Sequence, residues 1–139
     1  VTVAMHPGTN DDMVITVDGK EAGVLIGHHG DTLDALQYLA NLAANKKTNG
    51  EKREYVRVTV DVEGYRAKRE QTLIALAGRM AAKVQKSGRR MVLEPMNPYE
   101  RRILHATLQD NPYVTTHSEG DEPNRRVVIT PKRADAPKK

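Results

Sequence analysis

The chain contains no cysteine, no phenylalanine and no tryptophan, and five tyrosines are its whole aromatic content across 139 residues. Without cysteine there are no disulfides and no thiolate metal sites, which fits a reducing compartment and makes the cytoplasm the expected location. Without Phe or Trp the chain lacks the aromatic platform on which RRM and stacking-type OB surfaces hold bases. No apolar run approaches the ~18–20 residues of a membrane span, and Val1 is not followed by a signal-like segment, so no membrane insertion is expected. Catalytic patterns are missing too. His6, His28, His29, His105 and His117 form no HExxH or related metal-ligand spacing, and the carboxylates are scattered rather than paired. The stretch GHHGDT has neither the lysine nor the spacing of a Walker loop. A non-enzymatic chain without a cofactor is expected.

What is present is unevenly placed charge. The net charge is +4, yet residues 1–45 carry one lysine against six acids, whereas residues 46–57 sum to +3 and residues 63–90 to +6. A concentrated basic strip beside an acidic remainder suits the steering of an anionic partner. A solvated helix face accounts for the same charge run equally well.

Hydrophobic periodicity orders the elements. VTVAM and MVITVD alternate around the turn-rich HPGTNDD and predict a hairpin over residues 1–18. A short helix near Lys20–Ile26, the joint Gly27-His28-His29-Gly30 and a helix from Asp31 to about Asn45 follow. On that helix Asp34, Gln37 and Asn41 form a narrow polar stripe on an apolar rod, which predicts a mostly buried helix wet along one line. YVRVTVDV alternates as a strand, completing β-β-α-α-β. From Tyr65 to about Lys86, Leu73, Ile74, Ala77, Met80, Ala81 and Val84 share one helical face, and Lys68, Arg79, Lys83 and Lys86 lie near the opposite one. RMVLEPM predicts a short strand. Asn97-Pro98-Tyr99-Glu100 is a full helix-start signal, with Asn as N-cap and Pro in the first turn, for a helix to about Asp110. YVTTHSE and RRVVITP close the chain as a hairpin. The fold class expected is α+β in two small domains, β-β-α-α-β and then α-β-α-β-β.

Two constellations carry chemistry. A glycine-flanked joint at a helix start offers free N–H groups and the positive end of the helix dipole to a phosphate. Here its middle positions are His28 and His29, mostly neutral near pH 7 if unperturbed, and Asp31 adds a negative charge, so this loop should hold phosphate less strongly than a basic one. On the later helix Arg101 and His105 stand four apart on one face, where they can present a guanidinium and an imidazole to one phosphate or base, with Arg102 beside them. The alternative is that His105 is bonded to a strand and Arg101 paired with a carboxylate. If the loop histidines and His105 titrate near neutrality, binding should strengthen between pH 7.5 and 6.

VLIGHHGDTLDALQYL, set between an alternating hairpin and an alternating strand, resembles the KH domain, whose Gly-x-x-Gly loop clamps nucleotide backbone. NPYERRILHATLQ resembles the R-three-H domain, named for its Arg-x-x-x-His signature. A KH unit followed by an R-three-H unit resembles the bacterial Jag (SpoIIIJ-associated) family of RNA-binding proteins over nearly the whole chain. The resemblance implies a KH-like domain over 1–63, an R-three-H-like domain over 64–133 and a frayed tail over 134–139, with a further domain expected before Val1. It implies single-stranded RNA, or single-stranded DNA, as ligand, held by Ile26, Gly27, His28, His29 and Gly30. Lys46, Lys47, Lys52 and Arg53 would form the opposite wall of that groove. Arg101, Arg102 and His105 would contribute from the second domain, and the basic helix face of Arg79 and Lys83 would extend the surface. The family also implies a regulator linked to cell elongation or division. The alternative it suggests is a protein-interaction module whose KH domain associates with a separate small KH protein.

Overall fold

A computed structural model describes residues 1–46 and 54–132. Lys47, Lys52, Arg53 and the tail from residue 133 onward lie outside the described residues. The chain divides into two compact units, Val1–Arg69 and Glu70–Lys139.

In the first unit, β1 (Thr2–Pro7) and β2 (Met13–Asp18) pair as the expected antiparallel hairpin, and β2 pairs in parallel with β3 (Val58–Val62). The strand order is β1-β2-β3. Helix α1 (Asp31–Ala44) makes the crossover. The short helix expected before the loop is only a 3-10 turn, Ala22–Leu25. Val17, Ala22, Leu33, Val58, Val60 and Val62 form the core.

The structure differs from expectation in how α1 sits. Of its residues only Leu33 is buried, and Tyr38, Leu39 and Leu42 are 66%, 58% and 54% exposed. Beside Leu33 and Ala40, which reach the core, it is the polar stripe that meets the edge of the sheet. Asn41 Nδ2 donates to Val58 O at 2.7 Å, and Val58 N donates to Asn41 Oδ1 at 2.8 Å. Asn45 repeats the pair with Val56, at 2.7 Å in both directions. Gln37 Oε1 accepts from Val60 N at 2.9 Å, while Arg66 Nε donates to Val60 O at 2.9 Å. Four helical residues rise about 6 Å and two strand residues about 6.6 Å, so side chains at 37, 41 and 45 keep step with backbone at 60, 58 and 56. A carboxamide offers donor and acceptor together, as a strand residue does. The helix thus pairs the outer edge of β3 as a neighbouring strand would.

In the second unit, α2 (Tyr65–Ser87), which starts at the end of the first, buries Leu73, Ala77, Ala81 and Val84. Gly88, at φ 72°, closes it by donating to Val84 O at 2.8 Å. β4 is shorter than RMVLEPM suggests, Met91–Val92, since Pro95 has no N–H to continue a ladder. Leu93 and Met96 keep single backbone bonds to Val127 O and Arg125 O. Helix α3 (Pro98–Leu108) starts as expected, with Asn97 Oδ1 accepting from Glu100 N at 2.8 Å. β5 (Val114–Glu119) and β6 (Arg126–Pro131) form the final hairpin, in a sheet ordered β4-β6-β5. Leu73, Val84, Leu104, Val114, Val127 and Ile129 are completely or almost completely buried beneath the helices.

Candidate nucleic-acid interface

The Gly27–Gly30 joint is a tight, internally braced loop. Gly27 has φ 73° and Gly30 φ 86°, and His29 is also left-handed at φ 51°. A Cβ on Gly27 would lie 2.9 Å from Thr32 N, and one on Gly30 would lie 2.9 Å from the Tyr65 ring, so both positions require glycine for space as well as for φ. Ile26 O accepts from Thr32 N at 3.1 Å and from Leu33 N at 3.2 Å, and Asp31 N donates to His28 O. The first three N–H groups of α1 are therefore used inside the loop, contrary to the expectation that the helix start stays open to an anion. The N–H groups of Gly27 and His28 have no hydrogen-bond partner among the described residues and are what the loop has to offer. His28 is exposed and His29 half-buried, their ring centroids 4.0 Å apart. Val24 is 77% exposed, whereas Leu25 and Ile26 rest on the core. Asp31 is exposed in the first turn of α1 and does not cap it, because Gly30 is the N-cap. Lys46 is exposed just after α1.

In the second unit Arg79 and Lys83 are exposed on α2, opposite its buried face. Arg101 and His105 are held inward. Arg101, 9% exposed, donates through Nε to Met96 O at 3.2 Å and through Nη1 to Ser118 Oγ at 3.2 Å, and it ion-pairs with Glu122. His105 bonds Thr116 Oγ1 through Nδ1 at 2.7 Å and Ser118 Oγ through Nε2 at 2.9 Å. Thus α3 is tied to β5 and to the loop after it. The arrangement is the alternative of the sequence reading: the imidazole bonds a strand and the guanidinium a carboxylate, so neither side chain stands free for a phosphate. Burial, then the Arg101 charge, lower the His105 pKa below its ordinary 6.5. His105 is consequently mostly neutral from pH 7.5 down to its ordinary value and supplies no strengthening of anion binding there.

Arg102, one residue on, is exposed and has no hydrogen bond or ion pair among the described residues. It lines a cleft between α3 and β5 with His105, Gln109, Val114, Thr115 and Lys132. The sequence did not single out Lys132, which lines this cleft, since a lysine beyond a strand carries no pattern. Arg125 and Arg126 donate to backbone carbonyls at Gly120 and Asn124.

The two units are those of KH and R-three-H proteins. A family model described as "KhpA/KhpB, KH domain" matches residues 1–60, and the R-three-H domain model matches residues 71–131. The chain belongs to the family that joins these two domains, known as Jag. It is 49% identical over 125 residues to the RNA-binding protein KhpB of Clostridium symbiosum, covering 90% of this chain and 54% of that protein. To the KhpB of Bacillus subtilis it is 43% identical over 119 residues, covering 84% and 55%. To that of Streptococcus pneumoniae serotype 2 it is 39% identical over 115 residues, covering 83% and 34%. The chain spans about half the length of the first two of these curated relatives. Both matched domains are non-catalytic binding domains, and no helix among the described residues is long and apolar enough to cross a membrane.

Proposed function

We propose that the chain binds single-stranded nucleic acid, RNA in the first place, through the Gly27–Gly30 loop of its KH domain and the α3 region of its R-three-H domain. The observation that carries this is the loop itself: two glycines without room for a side chain frame two unpartnered N–H groups beside exposed His28. Lys46, exposed just after α1, supplies positive charge to this domain, and Lys47, Lys52 and Arg53 follow it in the sequence. Arg79 and Lys83 add exposed positive charge on α2 of the second unit. The relatives' name, RNA-binding protein, supports RNA over DNA. We place the activity in the cytoplasm, as a bacterial regulator linked to cell elongation and division.

Filter binding to random single-stranded RNA, with blunt duplex DNA as control, tests the reading. Micromolar or weaker affinity is expected, with log K falling by roughly 2 to 4 per log unit of salt, as three to five phosphate contacts at about 0.7 each require. His28→Asp, at the exposed position of the loop, should weaken binding without moving the thermal midpoint, because the added carboxylate faces the backbone of the RNA. A flat salt titration, or equal binding to duplex DNA, contradicts the proposal.

A second reading has its own observation. Tyr38, Leu39 and Leu42 leave an apolar strip open on α1, the kind of surface that a protein partner covers. A small KH protein is the partner this reading names.

A further inference from the structure

We infer that the R-three-H unit takes RNA in the cleft between α3 and β5, with Arg102 and Lys132 as the contacting cations in place of Arg101 and His105. The inference rests on the RNA-binding reading above and assigns the contact within it.

Charge in this part of the chain is unevenly spent. Residues 91–131 have a net charge of −2, so an anion site there needs its acids placed elsewhere. Glu122 is taken by Arg101, and Glu119 by Arg90 and His117. Among the described residues the charged side chains lining the cleft are Arg102 and Lys132, both cationic, with no carboxylate beside them. No acceptor among the described residues takes a guanidinium donor of Arg102. Lys132 gives one ammonium proton to Asn111 O at 3.1 Å and retains two.

The floor of the cleft suits the rest of a nucleotide. Ala106 and Val114 provide apolar surface and Gln109 and Thr115 polar groups. A nucleotide needs that combination: a cationic rim for phosphate, and apolar surface with a few donors and acceptors for sugar and base. β5 also stands at the outside of its sheet, since the order is β4-β6-β5. Its unpaired strand edge can meet base edges that only a single strand exposes.

Arg101 and His105, by contrast, are engaged: Arg101 satisfies the buried Met96 O, and His105 bonds the hydroxyls of Thr116 and Ser118. They hold the walls of the cleft in place.

The test is fluorescence-anisotropy titration of the intact chain with a short labelled oligouridylate, comparing wild type, Arg102→Glu with Lys132→Glu, and Lys20→Glu. Lys20 is exposed and outside every surface named above, so its reversal shows what a charge change away from the cleft does. The double variant should lose about tenfold or more in affinity and flatten the salt slope by about 0.7 per lost phosphate contact, at an unchanged thermal midpoint. Lys20→Glu should stay within about twofold of wild type, well under that loss. Wild-type binding matched by the double variant in affinity and slope overturns the cleft assignment and leaves the RNA reading standing. Equal losses in the double variant and Lys20→Glu reduce the effect to general charge and overturn it too. No binding by wild type overturns both readings. Self-association that the double variant abolishes, at unchanged RNA affinity, makes the cleft a protein contact and also overturns the assignment.

Discussion

Arg101→Ala is expected to destabilise the second unit by about 2–4 kcal/mol, read as a drop in the urea midpoint. Arg101 is buried and its donors satisfy Met96 O, Ser118 Oγ and Glu122 together. Removing it leaves a buried carbonyl unpaired. Glu122, which is half-exposed, turns to water, so the loss stays below that of a fully buried broken pair. Lysine should not rescue, because one ammonium cannot reproduce the guanidinium fork. The neighbouring histidine adds a pH signature. With its folded pKa below 6.5, His105 contributes stability that is fully present above about pH 6.5 and is lost as pH falls through the lowered value. Protonation turns both ring nitrogens into donors and sets a second cation beside Arg101 on the same serine hydroxyl. Between pH 7.5 and 5 the stability of wild type should therefore fall more than that of His105→Asn. Coincident profiles would show that the imidazole does not hold α3 to β5.

The second large effect is expected at Asn41, which sits on a half-exposed helix and looks dispensable by exposure alone. Asn41→Leu should cost about 2–4 kcal/mol, since it strips both backbone groups of Val58, a residue only 3% exposed, of their partners. Asn41→Asp separates the two bonds: it keeps an acceptor for Val58 N but sets a carboxylate against Val58 O. It too should destabilise. Hydrogen exchange at the Val58 amide reads the event locally, with faster exchange expected in Asn41→Leu than in Leu42→Ala, which removes an exposed side chain. Equal protection in the two variants would mean that the amide ladder does not close the strand edge.

These two cases show where the sequence was legible and where it was not. Local signals read well: the hairpin of residues 1–18, the glycine-framed loop, the apolar face of α2 and the Asn97 cap each depend on neighbouring residues and on one period. Readings that depended on a distant element were less secure. The stripe Asp34, Gln37 and Asn41 has helical spacing but says nothing of what it faces, and a polar stripe on an apolar helix is ordinarily the wet side; Asn45, at the end of the helix, joins it at the strand. Here the strand edge needed donors and acceptors more than the core needed leucines. The pair Arg101 and His105 is similar, since four-residue spacing puts them on one face without telling whether that face meets solvent or β5. Ser118, Thr116 and Glu122 decide it, and they lie 11 to 21 residues away. Lys132 joins the cleft only because β6 runs back beside β5.

If RNA is held at the Gly27–Gly30 loop and the α3–β5 cleft, while the Arg-x-x-x-His pair holds the fold, both places should respond together to ligand. Amide chemical-shift mapping of the intact chain titrated with single-stranded oligouridylate tests this most directly. Shifts are expected at Gly27 to Gly30 and at Arg102, Gln109 and Thr115, saturating with RNA and reversed by salt. Shifts confined to Tyr38, Leu39 and Leu42 on α1, or none at all, would contradict it.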